Sequence, residues 1–387
     1  MLKERYGFSG GLKRLFTVLA IAVFVLIVGL GGLIASNYKD FGNLFKVIML
    51  VRTQYLNPVD YSAMVDGAIG GVVRSLDDPY SVYLDPPTYK QLKEQIQGSF
   101  GGLGILVGIK DDYITVVKTF AGTPAYVSGI LPGDIIYRID DREARGLDLD
   151  TAVQLMRGPV GTGVKLTLGR PGKAEPFEVT LEREEISVPS VESSMKENNI
   201  AYMVISQFTV KTPAEVSENI DKLKKQGMRG MILDLRDNPG GELMSVVKVA
   251  ENFVPAGPVV FIEYKGGRME EHDATGKNLN IPLVVLINEG SASAAEILAG
   301  AVKDTGAGVL VGQKTFGKGV VQMIFDLDNG AGLKLTTARY LTTNKNDINK
   351  QGIMPDVVVE QQSGGPDLQM QKALDIMDQK LGIRPAA

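Results

Sequence analysis

The stretch LVVLINEGSASAAEILAGAVK, residues 283–303, passes directly from a strand pattern into a helix pattern. Its first five residues are leucine, valine and isoleucine, which predict a buried strand. A turn at Asn288-Glu289-Gly290 follows, and an apolar run predicts a helix from about Ala292. Ser293 would then lie in the first helical turn, where main-chain N–H groups are unpaired and the helix dipole is positive. That position suits a nucleophile or an oxyanion, but Ser291 or Ser293 could also be only a helix cap.

Downstream of this stretch, Lys318 lies in a charge-poor segment, Thr315-Phe316-Gly317-Lys318-Gly319-Val320-Val321. Desolvation favours the neutral amine, so a lysine in such a segment could act as a general base. The alternative is an exposed lysine in a β-turn between two glycines. Residues 312–318 also fit the first part of a phosphate-binding loop. Gly319 replaces the hydroxyl residue of that motif and a strand pattern follows, so nucleotide binding is not expected.

The composition narrows the chemistry that this chain can perform. Its 387 residues include no cysteine and one histidine, His272, which we predict to lie in a solvated loop. Disulfides, thiol catalysis and cysteine-bound metals are excluded, and neither a Ser-His-Asp triad nor a multi-histidine zinc site is expected. We expect no metal and no cofactor, and the net charge of −4 gives no reason to expect nucleic-acid binding. A serine activated by a lysine is the natural remaining route to nucleophilic catalysis.

Strand and helix patterns alternate from residue 187 to about residue 360. Predicted strands cover residues 200–206, 230–235, 259–262 and 283–287, and predicted helices cover residues 213–225, 243–252 and 292–303. Thr212 followed by Glu215 is typical of a capping box at the first of these helices. The strand at 230–235 leads into Arg236-Asp237-Asn238-Pro239-Gly240-Gly241. This β-α-β order predicts an α/β core.

Residues 98–185 combine short strand patterns with glycine-rich turns. Strands are predicted at 103–107, 114–118, 134–139, 164–168 and 177–181, and helices at 124–128 and 149–156. The glycines of Gly101-Gly102-Leu103-Gly104 leave N–H groups uncovered that could hold a carboxylate, or they form a plain turn. The motif is not a dinucleotide fingerprint, because Val107 stands where the third glycine should be.

This segment resembles a PDZ domain in several places. Gly102-Leu103-Gly104-Ile105 matches the carboxylate-binding loop, and Gly122-Thr123-Pro124-Ala125 with Pro132-Gly133-Asp134 matches the middle of the bacterial type. Leu155-Met156-Arg157-Gly158 and the turn at 161–164 match the second helix and its exit. The resemblance implies that a polypeptide carboxyl terminus binds as an added strand along residues 103–107.

The amino-terminal end carries a membrane signal. Four basic residues, Lys3, Arg5, Lys13 and Arg14, precede an uncharged run at 15–35. The run is long enough to span the hydrocarbon core as a helix, and the basic flank favours an amino terminus in the cytoplasm. Secretory signal cores are usually about 7–15 residues long, so we predict an uncleaved anchor rather than a signal peptide cut near Ala35-Ser36.

Helical patterns occupy residues 37–97 and the carboxyl-terminal tail. Phe41, Leu44, Phe45, Ile48 and Val51 have helical spacing, a second helix is predicted at 61–76, and a third ends near residue 96. Asp77-Asp78 before Pro79 is more simply a cap and turn than a pair of metal ligands. A last amphipathic helix is predicted at 367–381.

Together the motifs resemble those of the carboxyl-terminal processing peptidases, which are serine proteases with a Ser-Lys dyad. Four blocks match in order: the PDZ segment and the blocks at 234–241, 290–297 and 315–322. Residues 76–81 and 352–356 fit as well. The resemblance implies a multidomain protein of α+β and α/β class. Its predicted parts are a cytoplasmic end at 1–14, a membrane anchor at 15–35, a helical region at 37–97, a PDZ domain at 98–185, a crotonase-like α/β protease core at 187–362 and a helical tail at 363–387.

Positions within the matching blocks imply roles for individual residues. Ser293 is the expected nucleophile, Lys318 the general base and Gln322 a third member that orients the lysine amine. If Lys318 and Gln322 share a strand, their side chains face the same side. The N–H groups of Ala294 and Gly240 would form the oxyanion hole. Residue 295 is alanine here, where many relatives carry serine.

The function so implied is that of a membrane-anchored, extracytoplasmic serine endopeptidase that selects proteins by apolar carboxyl-terminal tails. Arg157 would relay tail binding to the active site, or it is a solvated surface arginine. A homodimer formed through the apolar stripes at 41–51 and 367–381 and a regulatory partner are further expectations. One rival is a non-catalytic PDZ scaffold, which should lack a dyad residue. The other is a crotonase-like acyl-CoA enzyme, for which an anchor and a tail-binding module make little sense.

Overall fold

The computed structural model describes residues 38–361 and 364–383, together with Val18. The anchor predicted at 15–35 otherwise lies outside these residues. Within the described ranges, no helix has both the length and the apolar character needed to cross a membrane. The chain divides into two compact units, Met1–Asp77 and Asp78–Ala387.

The first unit contains helices α1 (Tyr38–Gln54) and α2 (Tyr61–Arg74). The side chain of Asp60 caps α2 by accepting a hydrogen bond from the Ser62 N–H at 3.0 Å. Large apolar side chains of α1 are exposed, namely Phe41, Leu44, Phe45, Val47, Met49 and Leu50. The prediction of a helical amino-terminal region is therefore confirmed.

The second unit opens with strand β1 (Val82–Leu84) and helix α3 (Pro86–Gln97). Asp85 caps α3 by accepting the Thr88 N–H at 2.8 Å, and Gly98 ends the helix with a φ of 74°, in the left-handed region. The sequence predicted α3 but not β1, because a strand of three residues is too short to show a period.

The next elements form the PDZ segment. They are β2 (Ser99–Gly102), β3 (Ile105–Lys110), β4 (Tyr113–Thr119), α4 (Pro124–Val127), β5 (Ile135–Ile139), β6 (Arg142–Glu143), α5 (Leu149–Met156), β7 (Gly163–Gly169), β8 (Phe177–Glu182) and β9 (Glu184–Ser187). The sheet has the order β3-β4-β5-β7-β8 with β6 beside β5, and β2 pairs with β9 as a separate ribbon. Ile136, Leu166 and Leu168 are fully buried in its core. Strand β3 lies at the edge of the sheet, so one of its sides is open to an added strand.

The remaining elements form the carboxyl-terminal core. They are β10 (Val191–Met195), β11 (Ile200–Ile205), α6 (Thr212–Lys225), β12 (Gly230–Asp234), α7 (Leu243–Ala250), β13 (Gly257–Tyr264), β14 (Met269–Ala274), β15 (Leu283–Ile287), α8 (Ala294–Asp304), β16 (Val309–Gly312), β17 (Val320–Asp326), β18 (Gly332–Leu341), β19 (Val357–Val358) and α9 (Leu368–Lys380).

The main sheet of this core has the strand order β10-β11-β12-β15-β16-β19. Strand β10 is antiparallel to β11, and the other neighbouring pairs are parallel. Leu233 and Val285 on one face belong to the same buried cluster as Leu298 of α8, whereas Ile232 on the other face clusters with Met377 of α9. Because successive strand residues point to opposite faces, helices cover both sides, as in other parallel sheets. The predicted α/β core is thus present.

A second sheet has the order β1-β18-β13-β14, with β17 also paired to β18. Val82 of β1 lies opposite Lys334 of β18 in antiparallel register. The chain therefore contributes one strand to the core before the PDZ segment and the rest after it. The PDZ segment is an insertion between parts of one sheet.

Three sequence predictions are wrong in detail. Helix α6 has Lys211 rather than Thr212 at its N-cap, and the Glu215 carboxylate accepts from the N–H and hydroxyl of Ser190 instead of closing a capping box. His272 lies in strand β14 and not in a solvated loop. The apolar stripe of α9 is not left for a partner, since Met377 is fully buried against the main sheet.

Candidate active site

Two loops meet at the carboxyl edge of the main sheet. Strands β12 and β15 are parallel neighbours, with Asp234 opposite Leu286. The Arg236–Gly241 block follows β12, and residues 290–297, here called the serine block, follow β15. Both blocks therefore lie at the edge where parallel sheets bind ligands. A hydrogen bond from the Ala292 N–H to the Asn238 carbonyl, 2.9 Å long, joins them.

Ser293 occupies the N-cap of α8, which begins at Ala294 and so two residues later than predicted. Its φ of 54° and ψ of −114° lie outside the regions that residues with a side chain ordinarily adopt. Strain of this kind is concentrated at functional sites. The Ser293 side chain is half-buried.

Ser291 has a different role, because its hydroxyl is used within the loop. It is fully buried, its Oγ donates to the Leu235 carbonyl at 2.7 Å, and it accepts the Asn288 N–H at 3.0 Å. These bonds tie the serine block to the end of β12. The Ser291 hydroxyl is therefore a structural part of the loop.

The two predicted oxyanion donors differ in the present geometry. Among the described residues, the Ala294 N–H has no hydrogen-bond acceptor. The Gly240 N–H instead donates to Asn238 Oδ1 at 2.8 Å, while Asn238 Nδ2 donates to the Ile205 carbonyl at 2.7 Å. At residue 240 a Cβ would lie 2.8 Å from Ser293 Cβ and 2.9 Å from the Ala294 nitrogen, so only glycine permits this approach.

The Glu296 carboxylate joins the serine block to residues 315–322, here called the lysine block. It is fully buried, and Oε2 accepts from the main-chain N–H of Ser293 and from that of Lys318, each at 2.9 Å. The two nitrogens therefore lie no farther apart than twice that length. Oε1 accepts from the Thr315 hydroxyl at 2.6 Å and the Gly317 N–H at 2.8 Å. Four donors offset the cost of burying this charge.

Tyr340 of β18 supports the same turn. Its side chain is buried, and its hydroxyl donates to the Ser293 carbonyl at 3.1 Å. Burial, and then the nearby Glu296 carboxylate, raise the pKa of Tyr340 well above its ordinary value, so the hydroxyl keeps its proton. The sequence analysis gave no role to Tyr340 or to Glu296. An acidic residue inside the apolar run AAEILAG was the available signal for the latter.

Lys318 is half-buried just before β17. Burial, and then the charge of Lys334, lower the pKa of Lys318 below its ordinary value, while the carboxylates of Asp78 and Glu296 act in the opposite direction. A lowered pKa is what a lysine base requires.

Gln322 lies within β17, whereas Lys318 precedes it, so the condition for a shared strand face is not met. The ladder between β17 and β18 is also irregular between Val321 and Gln322. In this geometry Gln322 Nε2 donates to Thr336 Oγ1 at 3.2 Å. A bond between Gln322 and the lysine amine stays a prediction.

The PDZ loop has the features of a carboxylate site. Gly104 has a φ of 73°, and a Cβ there would meet the Thr123 side chain at 2.2 Å. The carbonyls of Leu103 and Gly104 accept from Ala125 and Phe120, each at 3.0 Å. Within the described ranges, no acceptor is found for the N–H groups of Leu103 and Gly104. They and Gly102 precede Ile105, the first residue of the open edge strand β3.

Arg157 lies at the end of α5 and contacts the segment before the PDZ loop. Its guanidinium carbon is 3.8 Å from the Phe100 ring centroid, and its Nη1 is 3.7 Å from a carboxylate oxygen of Glu94 in α3. Lys93, the residue before Glu94 in α3, forms an ion pair with Asp326 of β17, in which Nζ and Oδ1 are 2.9 Å apart. Arg157 is therefore linked through α3 to the strand that follows Lys318.

The described residues contain no cluster of acidic or histidine side chains that could hold a metal ion. His272 lies opposite Val260, and its Nε2 is 3.3 Å from a carboxylate oxygen of Glu270. Asp78 next to Pro79 accepts bonds from Tyr80 and Ser81, as a turn-forming residue does.

Comparison with protein families matches three parts of the chain. Residues 199–359 match "Peptidase family S41", residues 91–169 match "PDZ domain", and residues 34–88 match "Activating protease CtpB N-terminal domain".

Individual relatives extend the likeness to most of the chain. Carboxy-terminal processing protease CtpA of Bacillus subtilis is 38% identical over 350 residues, covering 89% of this chain and 75% of the relative. A carboxyl-terminal-processing protease of Picosynechococcus is 37% identical over 348 residues, covering 86% and 84%. The chain belongs to the carboxyl-terminal processing peptidases of family S41, and it is a serine peptidase with a PDZ domain, as the sequence predicted.

A solved structure is similar in fold alone. It is a candidate S41 protease from Bacteroides fragilis, which is 16% identical, with a TM-score of 0.50 and coverage of 87% of this chain and 97% of its own.

Proposed function

We propose that this peptidase is a membrane-anchored, extracytoplasmic endopeptidase in which Ser293 is the nucleophile and Lys318 the general base. The observation that carries the proposal is the Glu296 carboxylate, whose Oε2 accepts both the Ser293 N–H and the Lys318 N–H at 2.9 Å. One buried group thus brings together two segments that are separated in sequence. The strained backbone of Ser293 and the lowered pKa of Lys318 support the assignment.

The reaction follows from these positions. The neutral amine of Lys318 takes the Ser293 proton as Oγ attacks the peptide carbonyl carbon. The resulting oxyanion is held by main-chain N–H groups at the start of α8. Lys318 returns the proton to the leaving nitrogen, which departs as an amine. Water then hydrolyses the acyl-enzyme by the same steps in reverse order, releasing the new carboxyl terminus and free Ser293.

Two rearrangements accompany catalysis in this proposal. The Ala294 N–H is available to the oxyanion as it stands, whereas the Gly240 N–H must exchange Asn238 Oδ1 for the substrate oxygen. Gln322 must give up its hydrogen bond to Thr336 Oγ1 and form one with the amine of Lys318. The present geometry is then a resting form, which substrate or a partner protein converts to the active one.

Substrate selection falls to the PDZ domain. An apolar carboxyl-terminal tail would add as a strand to β3, with its carboxylate on the N–H groups of Leu103 and Gly104. Arg157 would pass this event on, because its contacts lead to Phe100 beside the loop and to Glu94 of α3. Helix α3 in turn holds Asp326 of β17.

Anchoring and assembly complete the proposal. The basic flank and uncharged run at 15–35 would place the peptidase outside the cytoplasm on a single membrane helix. The exposed apolar stripe of α1 would pair with that of a second copy, since a stripe this long is otherwise costly in water. A non-catalytic scaffold is not favoured, because the chain belongs to a peptidase family and retains both dyad residues.

The test compares full-length wild type with Ser293→Ala, Lys318→Ala and a control, Lys314→Ala, whose lysine is exposed nearby. An unfolded protein with an apolar tail serves as substrate, and products are read by gel and mass spectrometry. We expect cleavage by wild type and the control, and a loss of several orders of magnitude in both dyad variants. Near-normal proteolysis by Lys318→Ala would refute the dyad. Equal tail binding without cleavage by all four forms would favour a scaffold or an enzyme that awaits an activator.

A further inference from the structure

The turn at 78–81 lies against the lysine end of the site, although it precedes the PDZ domain in sequence. We propose that this turn is part of the active site, and that Asp78 and Tyr80 are positioning residues that hold the Lys318 amine and stabilise the charge it gains from Ser293. The inference rests on the proposed roles of Ser293 and Lys318. It adds residues outside the segment at 199–359 that matches the peptidase family.

The turn is fixed to the core by strand pairing and by Ser81. Strand β1 follows the turn directly and pairs with β18, where Val82 lies opposite Lys334. The buried Ser81 hydroxyl accepts the Thr336 N–H at 3.0 Å and donates to Asp78 Oδ2 at 2.5 Å. Asp78 is thereby held in one place relative to β18.

Asp78 is also joined to the predicted third member of the site. Its Oδ1 accepts the Tyr80 N–H at 3.1 Å, and the Ser81 hydroxyl connects its Oδ2 to the main-chain N–H of Thr336. Thr336 Oγ1 in turn accepts Gln322 Nε2 at 3.2 Å. Asp78 and Gln322 are thus both tied to Thr336: Asp78 through Ser81 to its main-chain N–H, and Gln322 to its side chain.

Tyr80 makes the direct contact with the base. Lys318 Nζ lies 4.9 Å from the centroid of the Tyr80 ring, within the range of a cation–π interaction. Three charged groups act on Lys318 from other elements. Asp78 of the turn and Glu296 of α8 attract the ammonium form, and Lys334 of β18 repels it.

These contacts matter most after proton transfer. Lys318 must be neutral to accept the serine proton, and burial with Lys334 favours that form. Once it has the proton it is an ammonium ion in a partly desolvated site, where a carboxylate and an aromatic face stabilise it. The third carboxylate of a Ser-His-Asp triad stabilises imidazolium in the same way. Asp78 itself stays ionised: burial acts to raise its pKa, but hydrogen bonds from Ser81 and Thr336 and the charge of Lys318 outweigh burial and lower it.

The experiment uses the full 387-residue chain in detergent and measures kcat and KM against pH. We expect Asp78→Asn to lower kcat about tenfold or more with little change in KM. The acidic limb of its profile moves to lower pH, because losing the carboxylate lowers the pKa of Lys318. Asp77→Asn is the matched control: Asp77 is exposed and its φ of 52° suits asparagine equally. Tyr80→Leu should lower kcat, and Tyr80→Phe, which keeps the ring, should recover most of that loss.

A second readout does not depend on turnover. Lysine labelled with ¹³C at Cε reports the pKa of Lys318 by NMR, assigned by the signal that Lys318→Ala loses. We expect a lower value in Asp78→Asn and none of that change in Asp77→Asn. An unchanged pKa, or kinetics of Asp78→Asn that match Asp77→Asn, overturns the inference even if Lys318 is the base. Full activity of Lys318→Ala would instead refute the dyad and leave the NMR result to decide whether Asp78 stabilises the charge of the Lys318 amine.

Discussion

Glu296, in the first turn of α8, accepts the main-chain N–H of Lys318 at 2.9 Å from the lysine loop. Helix α8 follows strand β15 and the lysine loop follows β16, its parallel neighbour in the main sheet. Strand pairing fixes the positions of β15 and β16 but not of the segments that follow them. The buried Glu296 carboxylate therefore sets the separation of the two segments, together with the hydrogen bond from the Phe316 N–H to the Ser291 carbonyl at 3.0 Å. This arrangement leads to the first of five predictions.

Glu296→Gln should lower kcat about a hundredfold with little change in tail binding by the PDZ domain. The amide keeps one of the two acceptor oxygens, so either the Ser293 and Lys318 N–H groups or the Gly317 N–H lose their acceptor. Each lost bond to a charged group is worth about 1.5–3 kcal/mol. Glu289→Gln, at an exposed position of the same loop, is the control. Steady-state kinetics measure the activity, and peptide titration measures tail binding. If Glu296→Gln only unfolded the protein, activity and tail binding would be lost together.

Ser293→Gly should be more stable than Ser293→Ala by about 1 kcal/mol or more. Both variants lack the proposed nucleophile, but glycine adopts the φ of 54° without the steric cost that a Cβ carries. Denaturant unfolding of the two variants measures the difference. Equal midpoints would mean that the backbone at residue 293 is not strained.

Gly104→Ala should abolish tail binding, because its Cβ would lie 2.2 Å from Thr123 Oγ1 and distort the carboxylate loop. Gly146→Ala is the matched control. Its φ of 74° is almost the same as the 73° of Gly104, but nothing lies within 4 Å of the added Cβ. Binding of a labelled apolar peptide is measured by fluorescence anisotropy. Both variants carry the same backbone strain, so a difference between them reports the steric clash with Thr123. Weak binding by both variants would assign the loss to strain alone.

Arg157→Ala should reduce cleavage of a tailed protein severalfold and leave cleavage of the same protein with a blocked tail unchanged. The substitution removes the contacts to Phe100 and Glu94 that link α5 to α3. Arg142→Ala, at an exposed arginine of the same domain, is the control and should cleave the tailed and the tail-blocked protein at the wild-type rates. If Arg157→Ala also matches wild type on both substrates, Arg157 is a solvated surface residue.

Arg170→Met should destabilise the PDZ segment, because the buried Asp134 carboxylate loses both hydrogen bonds from Arg170 and keeps only that from the Leu131 N–H. Lys173→Met is the control, since both cations lie over Phe177 but only Arg170 contacts Asp134. Burial acts to raise the pKa of Asp134, yet the bonds from Arg170 and Leu131 lower it overall. The wild-type contribution is therefore present above about pH 4 and is lost as pH falls through the lowered pKa. The measurement is hydrogen exchange of the main-chain amides at 98–185 as a function of pH. If the Arg170–Asp134 pair did not stabilise the segment, wild type and Arg170→Met would show the same protection at every pH.

Much of the fold could be predicted because its elements are periodic and long. Helix α5 and strand β15 occur at the predicted bounds, and most of the other predicted elements differ from theirs by one or two residues at an end. The sequence patterns did not indicate the shorter strands β2, β6, β9, β10, β16 and β19, nor β14 and β18. Strand β1 could not be predicted, since its pairing with β18 depends on residues far along the chain. The same limit applies to α9, whose apolar stripe is equally compatible with a partner and with the main sheet.

The site could be predicted in its residue types but not in its hydrogen bonds. Ser293 at the start of a helix follows from the pattern of residues 283–303. Its left-handed φ does not, because serine seldom adopts it without tertiary support. Two of the site's hydrogen bonds depend on side-chain rotamers, which are decided by packing. They are the bond from the Gly240 N–H to Asn238 Oδ1 and the bond from Gln322 Nε2 to Thr336 Oγ1.

The position of β1 bears on the order in which the chain can fold during synthesis. Residues 98–185 close their own core and can fold as soon as they leave the ribosome, as domains generally do. The turn at 78–81 must wait, because β1 has no partner until residue 334 of β18 has been made. Such distant pairing is slow to form. A nascent chain of this family member is therefore expected to bind tails well before it can cut them, and translation itself would delay proteolysis until the chain is almost complete.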